Sequence, residues 1–151
     1  MAQTNNALPM SCLRVRVSTD CLTWTNISGS TNAVDPGDTE RMTGETYTFD
    51  GLRAIVKAGK IQPSNVAFNI VYTEQNTEAY EQAQAIFESV GCGADICVAW
   101  SPGGGDVGDE EYTVDGVLKT FKYPPGNAGE AGPIMGGFTV YGTITHKTLT
   151  T

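Results

Sequence analysis

The sequence predicts a mainly β domain, an antiparallel β-sandwich or partly closed β-barrel with one flanking α-helix. Three observations carry this. Short segments such as CLRVRVS and FTVYGTITHK alternate apolar and polar residues, the period-two signature of half-buried strands. One stretch only, TEAYEQAQAIFESV, repeats its apolar residues at helical spacing. Charged residues make up 17% of the chain, below the usual figure of about a quarter. That fraction, with many Thr, Gly and Asn residues, argues against a charged helical bundle.

The 151 residues suffice for one domain with a proper core, and neither an internal repeat nor a linker divides them. Residues 1–11 are polar and read as an extended arm. In residues 12–18, Leu13, Val15 and Val17 face one way and Arg14 and Arg16 the other. LTWTNI repeats the pattern with Leu22, Trp24 and Ile27. Residues 28–44, SGSTNAVDPGDTERMTG, carry turn chemistry almost throughout and read as a long loop. ETYTFDG and LRAIVKAGK make strand, Asp-Gly turn, strand. NVAFNIVYT is a more apolar strand, placed centrally.

The helix is expected over residues 77–90, burying Ala79, Tyr80, Ala83, Ile86, Phe87 and Val90. Asn76 or Thr77 is placed to cap it and Gly91 to stop it. DICVAW follows as a strand. EYTV and VLKTFKY read as two strands joined at Asp115-Gly116. A loop, PPGNAGEAGPIMGG, precedes the last strand, whose Phe138, Val140, Gly142 and Ile144 point inward. Trp24 and Trp100 are expected in the core.

The balance of 9 basic against 17 acidic residues, net −8, argues against a protein that grips nucleic acid through its backbone, which requires a basic face. No stretch approaches the roughly 20 apolar residues of a membrane span. The opening MAQTNNALPMS lacks a basic start and an apolar run, so synthesis in a cytoplasm is the expectation. Cys12, Cys21, Cys92 and Cys97 lack a CxxC spacing; buried free thiols are expected rather than disulfides.

Gly103-x-Gly105-x-x-Gly108 has the spacing of a dinucleotide loop. Such a loop must open a helix, whose N-terminus holds the pyrophosphate. Here Asp109, Glu110, Glu111 and strand-like residues follow, so a mobile acidic surface loop is expected instead. The acidic cluster Asp106, Asp109, Glu110, Glu111 lacks the spacing of a calcium loop and reads as solvated. The single histidine, His146, sits in a Thr-rich strand and reads as solvated too. No catalytic set, cofactor site or metal site is expected, and a small β-barrel hydrolase lacks its residues. An Ig-like binding or adhesion module stays open as an alternative.

Several passages together resemble a known family: the polar arm, LTWTNISGSTNAVDPGDTERMTGETYTFDG, GKIQPSNVAFNIVYTEQNTEAYEQAQAIFESVG, VAWSPGGGDVGDEEYTVDG and KYPPGNAGEAGPIMGGFTVYG. They resemble the tail tube, or major tail, proteins of long-tailed bacteriophages, a fold shared with type VI secretion tube proteins. The strand, YTE, helix, strand, WSP passage carries most of the likeness. The resemblance implies hexameric rings that stack into a tube. It implies no enzymatic activity and a place in the virion tail, after synthesis in the bacterial host. The partners implied are further copies of the chain, a tape-measure protein, and tail-tip and tail-terminator proteins. Phage DNA would pass through without sequence-specific binding. The long loop over 28–44 would contact the adjacent ring through Asp35, Pro36, Asp38, Glu40 and Arg41. An acidic lumen would let DNA slide, with Glu45 and Asp50 as candidate lining residues. A tail terminator or head–tail connector of the same fold is the nearest alternative.

Overall fold

The computed structural model describes residues 2–89 and 94–150. Among them it holds nine strands and one α-helix. β1 spans Arg14–Ser18, β2 Thr25–Asn26, β3 Thr31–Asp35, β4 Arg41–Thr46, β5 Ile55–Ile61 and β6 Ser64–Val71. Helix α1 spans Ala79–Phe87, followed by β7 Asp95–Ser101, β8 Glu110–Lys122 and β9 Met135–Thr148. Seven strands form one antiparallel sheet in the order β2-β1-β7-β8-β9-β6-β3. The sheet curls into a half-barrel, which of the two expected forms is the partly closed barrel. β4 and β5 form a separate two-stranded sheet.

Period-two patterning aims the apolar residues at one face. In β6, Val66, Phe68 and Ile70 are buried while Asn65 and Asn69 are exposed. Phe68 stacks on Phe138 of β9, ring centroids 4.9 Å apart, and meets Trp100 of β7 edge-on at 6.3 Å. Val15, Val17, Ile96, Val98, Val114, Leu118 and Val140 complete this face.

Helix α1 closes over it with Ala79, Tyr80, Ala83 and Ile86. Tyr80 reaches Tyr72 at 4.6 Å and Phe121 at 5.1 Å. The helix is shorter than expected, and Val90 and Gly91 lie outside the described residues. Its N-terminus is not capped by Asn76 or Thr77. Instead the Ala79 N–H donates to the Ser30 hydroxyl, 2.9 Å away and 49 residues back in sequence. A partner brought by tertiary folding thus satisfies a free helix donor.

Several local expectations are corrected. Asp115-Gly116 is no turn: β8 runs unbroken through it. Gly116 lies opposite Gly142 of β9, where a Cβ would strike the Tyr141 carbonyl oxygen and the Gly142 Cα. The glycine therefore marks a close backbone approach between two long strands. Residues 28–44 are not one loop. They hold a 3-10 turn at Ser28–Ser30, all of β3 and the start of β4. β6 is the neighbour of an edge strand, and β8 is central.

LTWTNI contributes only the two-residue β2, with Leu22 82% exposed. Trp24 is half-buried outside the core, with the Arg16 guanidinium 4.6 Å from its ring centre. The turn before it is organised by Asp20, whose carboxylate accepts from the Leu22 and Thr23 N–H groups, each at 2.9 Å. Those backbone bonds, Thr23 first, lower its pKa to about 2.

The free-thiol expectation also changes. Cys21 and Cys97 form a disulfide across 76 residues, with Cα atoms 5.5 Å apart. Cys12 is exposed and free. Cys92 lies outside the described residues.

Candidate assembly surface

The chemistry sought in the sequence is scattered by the fold. His146 is an exposed residue of β9, its Nδ1 3.6 Å from a Glu110 carboxylate oxygen. Glu110 also accepts from the Thr148 hydroxyl at 2.6 Å, and Asp109 accepts from the Asp106 N–H at 2.9 Å. The GxGxxG segment opens β8, not a helix. It is also tied down rather than loose. Gly108 N–H donates to Leu149, Leu149 N–H to Asp109, and Arg14 to the Gly105 carbonyl oxygen at 3.2 Å. Positive φ at Gly104, Gly105 and Gly108 (104°, 89° and 95°) makes the turn possible.

Glu111 leaves the acidic cluster altogether. It is 1% exposed and held between Arg14 at 2.7 Å and Arg16 at 2.6 Å. Burial pushes its carboxyl up. The hydrogen bonds and charges of Arg16 and Arg14 outweigh this and hold it below the usual carboxylate range. One carboxylate thus locks β1 to β8 across β7. Sequence reasoning missed it because Arg14 and Glu111 are 97 residues apart. Cys21, Cys97 and Asp115 form the one grouping of potential metal ligands among the described residues, and the disulfide occupies both sulfurs.

The largest unpartnered feature is the β4–β5 hairpin, residues 41–61. Every residue in it is exposed except Ala54, which is half-buried. Neither strand joins the main sheet. Yet the hairpin carries Met42, Tyr47, Phe49, Leu52, Ile55, Val56 and Ile61, with Phe49 and Leu52 at 109% and 102% exposure. An isolated two-stranded hairpin is marginal in water, and the seven large apolar side chains uncovered on it make it a candidate interaction surface.

The residues expected as ring contacts meet at its base. Asp35 ends β3 and accepts from the Gly37 N–H at 3.0 Å. Pro36, Asp38 and Glu40 lie in the link to β4, and Gly37 takes a φ of 63° there. Arg41 opens β4 and donates to the Gly59 carbonyl oxygen at 2.9 Å. Glu45 stands opposite Val56 on the hairpin, and Asp50 lies in its connecting turn. The sequence shows the turn chemistry of the link and the strand–turn–strand of the hairpin. The hairpin reads as an ordinary element until one sees that nothing covers it.

No protein-family model matches the chain, and no curated protein matches it by sequence. Solved structures do match in three dimensions. A chain of the PVC sheath–tube complex of an extracellular contractile injection system, in the extended state, superposes with TM-score 0.72 at 14% identity, covering 96% of this chain and 94% of that one. A chain of the PVC sheath/tube terminator gives 0.73 at 14% identity, covering 97% and 100%. A chain of the anti-feeding prophage tube-terminating cap gives 0.72 at 11%, covering 99% and 96%. The likeness spans whole domains on both sides. The chain has a tail-tube-like fold.

Proposed function

We propose that the protein is a structural subunit that associates with its own copies to build the tube of a tail-type particle. The observation that carries this reading is the bare apolar hairpin, joined to neither face of the main sheet, on a tail-tube-like domain. A subunit that ends its folding with such an arm uncovered completes it against a neighbour. The rings would be hexameric and stacked, with the link 35–41 at the subunit junction. Asp35, Pro36, Asp38, Glu40 and Arg41 are its contact residues. The passage would admit a tape-measure protein first and then cargo such as DNA, repelled by acidic walls. Glu45 and Asp50 sit on the hairpin, so their exposure to that passage depends on how the hairpin seats. Tip and terminator proteins would close the two ends, and the finished tube would lie in the particle's tail. The role is structural, without catalysis.

A second reading has support of its own: a terminator chain and a cap chain superpose as well as the tube-complex chain does. Such a subunit would close into one ring and stop. Negative-stain microscopy of the purified protein at rising concentration separates the two. Stacked tubes support the tube subunit, and single rings support the terminator. Monomers at every concentration, alone and mixed with tip and tape-measure proteins, would defeat both.

A further inference from the structure

The charges of the chain are not evenly spread. Four of its nine basic residues, Arg41, Arg53, Lys57 and Lys60, fall within the hairpin, residues 41–61. Only two of its seventeen acidic residues, Glu45 and Asp50, do so. The hairpin therefore carries +2 and the rest of the chain −10. Of the five remaining cations, Arg14 and Arg16 are taken by Glu111, and Lys119 stands over the Tyr141 ring at 5.1 Å. The hairpin is a basic, apolar arm on an acidic body.

Its charges are also unspent. Arg41 bonds back to the hairpin itself. Among the described residues no ion pair involves Arg53, Lys57 or Lys60. They follow or flank the exposed apolar residues Leu52, Ile55, Val56 and Ile61. A surface that mixes uncovered apolar side chains with unpaired cations fits an acidic protein face, where the apolar part supplies affinity and the cations supply register and orientation. The rest of the same chain, with net charge −10, supplies such an acidic surface.

We infer that the hairpin is an electrostatic docking arm whose partner is the acidic body of a second copy. The contact is heterologous, arm to body, so it propagates from subunit to subunit instead of closing as a symmetric pair. It also explains how copies with net charge −8 associate at all. Bodies of like charge repel at a distance, and the arm places positive charge where two bodies must touch. This inference rests on the self-assembling reading above and adds the polarity of the contact.

The test holds total charge fixed and moves its location. The triple variant R53E/K57E/K60E and the triple variant K119E/K122E/K147E both have net charge −14, against −8 for the unaltered chain. All six positions are exposed. Circular dichroism confirms that both variants fold, and sedimentation velocity measures self-association over a concentration series. Reversal in the hairpin should raise the concentration needed for assembly by about tenfold or more, while reversal on the body leaves it within about threefold. Equal weakening by both variants would mean that total charge alone acts, and would overturn the inference. Unchanged assembly by the hairpin variant would mean that the arm docks through its apolar residues only, and would overturn it too. In both cases the self-assembling reading survives. Absence of association by the unaltered chain would remove that reading and the inference with it.

Discussion

The β4–β5 hairpin and the β8–β9 pair are both antiparallel hairpins of one chain, and they differ in what lies against them. β8 and β9 pair over 12 positions and lie over a face closed by helix α1 and the facing aromatics. β4 and β5 are bare on both faces. Both segments contain apolar residues, turn residues and glycines. Pairing alone therefore does not separate a stable element from an unfinished one. The third element decides, by removing apolar area from water at about 25 cal/mol per Å².

The sharpest way to break the comparison is a matched pair of truncations. Phe68→Ala, in the fully buried stack with Phe138, should destabilise the subunit by about 3–5 kcal/mol in urea denaturation. Phe49→Ala on the hairpin should change that midpoint by less than about 0.5 kcal/mol and instead weaken assembly. Similar destabilisation by both would mean that the hairpin is covered within the monomer.

Glu111→Gln should come next, costing about 3 kcal/mol, because it leaves two partly buried arginines without their shared anion. The same carboxylate gives the protein a pH dependence of definite sign. Its folded pKa lies below its unfolded one. The stability it contributes is therefore present above the ordinary carboxylate pKa and lost as pH falls through the folded value. Denaturation midpoints between neutral and acid pH should drop less steeply in Glu111→Gln than in the unaltered chain. Parallel profiles would show that other carboxylates set the slope.

Cys21→Ser removes a cross-link that closes a loop of 76 residues and should cost about 2–4 kcal/mol. Reduction of the unaltered protein should lower its melting temperature, and the variant should be indifferent to reductant. The smallest effect is expected at Ser30→Ala. It removes the hydroxyl that receives the Ala79 N–H, at about 1 kcal/mol. Thermal melting would detect it, and Thr77→Ala should show no comparable loss.

Much of the fold was legible from local pattern. β1 and β9 lie where alternation put them, because period two makes a strand's burial a local property, and β6 and β7 lie where their short apolar runs put them. Helix α1 was legible for the same reason, its apolar face being written at period 3.6. Trp24, Gly116 and residues 28–44 were misread because their local chemistry has two meanings. Asp-Gly serves a tight turn, and glycine equally serves a close strand crossing. The sequence shows the glycine but not Gly142, 26 residues later, that faces it. The candidate surface was half legible. Asp35, Pro36, Asp38, Glu40 and Arg41 lie where turn chemistry is readable locally, but exposure of the hairpin beyond them is a property of the whole fold.

Composition and patterning by themselves determined the β class, the single helix and the acidic balance, since each is a sum or a period along the chain. Tertiary structure alone decided which strand is central and which cysteines meet. It also decided that Glu111 is buried between two arginines and that residues 41–61 stand uncovered. Those facts depend on contacts between residues tens of positions apart. Loop closure brings such residues together, and no local window of the sequence contains both partners.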